Sequence, residues 1–125
     1  MKKTINTPDA PAPIGPYSQA VLSNDNLCLS GQIALDPDTG ELITENVVDE
    51  THRVMKNIQA IINAAGLTMD HIIKCSIFII NMDDFTEINE VYGTYFNNEP
   101  PARETIEVSR LPKNVNVEIS VIAAK

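Results

Sequence analysis

The chain has no tryptophan, and among its 125 residues only two cysteines, two histidines and five glycines. Each scarcity closes off a class of chemistry. His52 and His71 have no partner at metal-ligand spacing, so no metal site is expected. The five glycines form neither GxGxxG nor a P-loop, so no phosphate cradle and no cofactor is expected. Cys28 and Cys75 fall in separate apolar runs without a paired histidine. They read as reduced core thiols, not nucleophiles. Positive charge is also short: nine Lys and Arg against seventeen Asp and Glu give a formal charge of -8. Nucleic acid and anionic membrane surfaces are therefore not expected partners. No run approaches the roughly 20 apolar residues of a spanning helix. Met1–Asn6 carries lysines with no apolar stretch behind them, unlike a secretory signal. With reduced thiols, this points to the cytoplasm.

What remains is an ordinary globular composition, 43% hydrophobic and 21% charged. The length fits one domain over residues 1–125. A chain of that size hides roughly two-thirds of its unfolded surface. Pro8, Pro11, Pro13 and Pro16 keep the start out of a helix, and Ile5 fits a short edge strand. Gln19–Ser23 and Asn26–Ala34 read as strands about a tight turn at Asn24-Asp25, and Asp36–Gly40 reads as a second turn. The period then changes. Val47, Thr51, Val54, Ile58, Ile61 and Ala65 form a helical stripe, with Asn46 placed to cap it and Gly66 just past its end. His52 falls on the polar side of that helix.

His71–Ile80 reads as a central strand. Asp83 or Asp84 caps a second helix whose buried face carries Phe85, Ile88, Tyr92 and Tyr95 or Phe96. Pro100-Pro101 precedes two final strands. The expected order is ββαβαββ, an α+β fold with a mixed sheet and both helices on one face. The other face is expected to bury Val21, Ile33, Ile77 and Val121 in a symmetric oligomer.

Arg103 enters a strand straight after two prolines, where an arginine needs an anionic partner if buried. If the last two runs pair as a hairpin about Leu111–Asn114, Thr105 lies opposite Glu118 with Arg103 on the same face. Such a spot suits a small molecule carrying a carboxylate. The plainer reading is that Arg103 and Glu118 pair with each other or with solvent. Tyr17 follows Gly15-Pro16 in a segment of poor strand periodicity, which leaves its hydroxyl free to reach a cleft.

Three ordered blocks carry a resemblance. They are Ala10–Ala20, then Leu29–Ile33 with the turn Asp36–Gly40, then Pro101–Ile106 with Leu111–Lys113 and Val117–Ile119. Together they resemble the RidA (YjgF) family, essentially from end to end. The resemblance implies a chorismate-mutase-like fold and a homotrimer with sites between subunits. It implies deamination of 2-imino and 2-enamino acids to 2-keto acids and ammonia. It also implies roles: Arg103 grips the substrate carboxylate, Gly31 and Thr105 offer backbone groups, and Glu118 positions or activates water. Tyr17 closes the pocket, Ser30 adds a hydroxyl, and Asn89 braces the site across a subunit boundary. Thr105 stands where many members carry cysteine, and Glu104 where a small residue is usual. A non-catalytic ligand-binding or interaction module is the alternative, and a ribonuclease or translation inhibitor a third reading that the charge disfavours.

Overall fold

A computed structural model describes residues 1–125. Six strands form one sheet: β1 (Lys2–Ile5), β2 (Ala20–Ser23), β3 (Asn26–Gln32), β4 (Ile72–Ile79), β5 (Ala102–Glu107) and β6 (Val117–Ala124). Two helices, α1 (Val47–Ala64) and α2 (Phe85–Gly93), complete it. The sheet order is β1-β2-β3-β6-β4-β5, antiparallel except for the parallel pair β4–β5. The expected ββαβαββ order holds, with β1 added at one edge.

The local signals act where they stand in the chain. Asn24 turns the β2–β3 hairpin at φ +55°. Asn46 accepts the Asp49 N–H at 2.8 Å and starts α1, and Gly66 leaves it at φ +79°, a conformation that favours glycine. Helix α1 buries Val54, Met55, Ile58, Ile61 and Ile62 against Leu27, Leu29, Ile119 and Val121 of the sheet. Helix α2 lies beside α1 and buries Ile88, Val91 and Tyr92. Both helices cover the same sheet face. No helix is long and apolar enough to cross a membrane.

Two expectations fail. The last two strands are not a hairpin, because β4 lies between β5 and β6. The turn at Leu111–Asn114 does reverse the chain, but the nine-residue connection from Val108 to Asn116 passes over one strand before β6 begins. The open face also carries other residues than expected. Ile77 and Val121 point under the helices and are buried. Strand alternation places Ile122 and Ile106 on the open face, 39% and 45% exposed, and Ile73 stands 51% exposed beside a register shift in β4. Cys28 belongs to that face too. It lies opposite Val21 and Ile122 and is exposed, whereas Cys75 is a core thiol as expected.

Candidate active site

The site begins where β3 leaves the sheet. The β3–β6 ladder shifts register between Leu29 and Gln32, and its last pair is Gln32–Ile119. Beyond it the chain from Gln32 to Leu35 bends away from β6 and opens a gap. That gap is a cavity of about 340 Å³, lined by Tyr17, Ser30, Gly31, Ile33, Pro112 and Glu118 among others. No lysine or arginine lines it.

Glu118 is its one carboxylate. On β6 it alternates with the buried Val117 and Ile119 and so faces away from the helices. Burial pushes its carboxyl above the ordinary glutamate value. Gly31 makes room for it: a Cβ there would lie 2.8 Å from Glu118 Cδ and 3.1 Å from Cγ. The Tyr17 hydroxyl accepts the Ile14 N–H at 3.2 Å, which folds the proline-rich segment over the cavity mouth. Ser30 lines the wall, but its hydroxyl donates to Ser18 O at 2.6 Å.

Arg103 lies elsewhere. It pairs in register with Cys75 on β4, and Thr105 pairs with Ile77, so both belong to the helix-covered face. Glu118 pairs with Phe78 and belongs to the other face. Within one chain, Arg103 and Glu118 are thus on opposite sides of the sheet, and the expected juxtaposition of Thr105 with Glu118 does not occur. Nor is Arg103 buried. It is exposed at the β5 edge, where Nη1 donates to Asn89 Oδ1 at 2.5 Å and the guanidinium lies 5.1 Å from the Tyr92 ring centroid and 5.6 Å from that of Phe85. Asn89 braces it from within the same chain, whereas the expectation had it acting across a subunit boundary. The Thr105 hydroxyl is buried there without a hydrogen-bond partner. Burial pushes the Cys75 thiol and the Tyr92 phenol up, which keeps both neutral beneath the guanidinium. Glu104 points to the opposite face from Arg103, as strand alternation requires, and engages Lys74 at 2.8 Å and the Ser76 hydroxyl.

His52 makes a structural contact. Its Nδ1 is 2.9 Å from the Tyr95 hydroxyl, tying α1 to the end of α2. His71 Nδ1 accepts the Thr68 N–H at 3.0 Å. No three metal-ligating side chains come together anywhere.

Three buried polar side chains that shape the cavity were not anticipated. Gln19 accepts the Thr7 N–H at 2.7 Å and donates to the carbonyls of Thr7, Ala10 and Pro11. Asn57 donates to the carbonyls of Ile33 at 3.1 Å and Leu35 at 2.9 Å. Glu50 accepts from Asn116 N, Asn116 Nδ2 and Val117 N at 2.7, 2.7 and 3.0 Å. The available signal was that Glu50 and Asn57 interrupt the apolar stripe of α1 from within.

The profile of the family described as Endoribonuclease L-PSP matches residues 7–125. The chain belongs to that family, the RidA (YjgF) family its three sequence blocks resemble. It is similar to a RutC family protein of Pyrococcus horikoshii, 48% identical over all of this chain and 99% of the relative. It is 42% identical to the 2-iminobutanoate/2-iminopropanoate deaminase of Mus musculus, over all of this chain and 93% of that protein. Among solved structures it resembles Escherichia coli TdcF with bound serine, with a TM-score of 0.95, 42% identity and 98% of each chain covered.

Proposed function

We propose that the protein is a hydrolase of small 2-imino and 2-enamino acids, such as 2-iminopropanoate and 2-iminobutanoate, and that it works as a homotrimer with its sites between subunits. The observation that carries this reading is the split site. An exposed guanidinium waits on one side of the sheet and a half-buried carboxylate in a cavity on the other, and only a second copy can bring them to one ligand. The exposed isoleucines of the open face support such an assembly. The family and the named mouse relative support the chemistry, and serine bound to TdcF supports an amino-acid-sized ligand.

In this reading Arg103 of one subunit holds the substrate carboxylate through two parallel bonds, each contributing on the order of 1.5–3 kcal/mol. Asn89 and the rings of Phe85 and Tyr92 fix the guanidinium plane. The iminium carbon is already electrophilic, so orientation and a general base suffice. Glu118 of the neighbour takes a proton from water as its oxygen attacks that carbon. Glu118 then returns that proton to the nitrogen of the carbinolamine, the C–N bond breaks as its electron pair leaves with nitrogen, and the hydroxyl proton passes to the released ammonia, giving keto acid and ammonium. The cavity's raised carboxyl suits both halves of that exchange. The exposed, unpaired Cys28 thiol supports work in a reducing cytoplasm. RNA cleavage is not favoured, since a chain of formal charge -8 has few cations to gather a phosphate backbone.

The test is a coupled assay in which a threonine or serine dehydratase generates the imine. Keto-acid release should accelerate with the wild type and lose on the order of 100-fold in kcat/KM with Arg103→Ala. No acceleration with any precursor would leave the pocket a binding module.

A further inference from the structure

Helix α1 supplies no residue to the cavity wall, yet it holds both of the cavity's lips. Where β3 departs, β6 loses its partner on that side beyond Ile119, while β4 stays paired with it as far as Val117. The N–H groups of Asn116 and Val117 would be left without acceptors. Glu50 is fully buried, and its carboxylate takes both, together with the Asn116 side-chain amide. A buried carboxylate is costly without such donors. The bonded pair Asn116-Val117 lies between two cavity residues, Pro112 and Glu118. The connecting turn passes through Lys113 and Asn114 at φ +55° and +56°, a conformation that few side chains adopt unaided. Seven residues on, about 10 Å along the same helix face, Asn57 holds the other lip by the carbonyls of Ile33 and Leu35. Arg53 Nε donates to Asn57 Oδ1 at 3.2 Å, which leaves the amide N–H groups for those carbonyls.

We infer that Glu50 and Asn57 are positioning residues: α1 splints the gap between β3 and β6 so that Glu118 is aimed at the attacking water. This rests on the deaminase reading above. The splint acts on the base half of the site only. Arg103, which grips substrate, is held by β5 and α2 and makes no contact with it. Loss of the splint therefore lowers kcat and spares KM. Glu50→Gln can keep every contact if the Asn116 amide turns over to present its oxygen, so it rescues what Glu50→Ala loses.

The experiment measures kcat and KM in the coupled assay for Glu50→Ala, Glu50→Gln and Asn57→Ala, corrected for folded fraction, and follows the Glu118 carboxyl by carbon NMR against pH. Tyr17 is the other titratable side chain lining its cavity. Expected for both alanine variants are a kcat loss of about tenfold or more with KM within about twofold, and a Glu118 midpoint lowered towards the ordinary glutamate value as water enters. Glu50→Gln should stay near wild type in both. An unchanged kcat and Glu118 midpoint in a folded Glu50→Ala would overturn the inference, as would equal losses in kcat and in affinity. If Glu50→Ala does not fold, Asn116→Ala, which removes one of the three bonds, is read the same way. If the wild type turns over no imine, the deaminase reading fails, and the Glu118 titration alone decides on the splint.

Discussion

Glu118 and Gly31 act as a pair at the scale of single residues. The glycine's missing side chain is the space the carboxylate occupies. Gly31→Ala would be accommodated by moving the flexible end of Glu118, so turnover should fall at least tenfold or so while the thermal midpoint barely shifts. A large loss of stability with intact turnover would place the constraint in the backbone instead. Glu118 itself carries a raised carboxyl because burial disfavours its charge. A group whose folded value lies above its unfolded value stabilises the fold below the unfolded one and loses that contribution as pH rises through the folded one. Glu118→Gln removes this cost. Its melting temperature should match or exceed the wild type's at about pH 7.5, with the advantage vanishing near pH 4, while turnover collapses. In the wild type, the acid limb of kcat should lie above that of an ordinary glutamate.

At the scale of elements, the proline-rich segment is a cavity wall made of chain that has neither helix nor strand, and Gln19 is what orders it. Gln19→Ala leaves the Thr7 N–H and up to three carbonyls without partners, so about 1–3 kcal/mol of stability should be lost in urea unfolding. The loosened wall should raise KM as Tyr17 becomes mobile. Elements also show where sequence reading reached its limit. The α1 stripe and its caps were legible because period and capping are local. The pairing of β5 was not. A turn signal reports that the chain reverses, not how many strands it passes before pairing, though nine residues from Val108 to Asn116 are long for a hairpin. Cys28 was legible in principle, since alternation with Leu27 and Leu29 sends it outward.

For the whole molecule, the sequence blocks indicated the family, and the fold followed. They could not show that Arg103 and Glu118 belong to opposite faces, because faces depend on strand order and not on spacing. On the proposed deaminase reading, that split makes an oligomer a catalytic requirement. In the proposed ring of three, each site would take Arg103 from one chain and Glu118 from the next. Arg103→Ala and Glu118→Gln chains, each inactive alone, would then restore a complete site at some of the boundaries in mixed rings. The most direct measurement is turnover of trimers reassembled from equal amounts of the two variants. Recovery of about a quarter of wild-type activity is expected from random mixing. Mixed trimers as inactive as either parent would contradict a site shared between subunits.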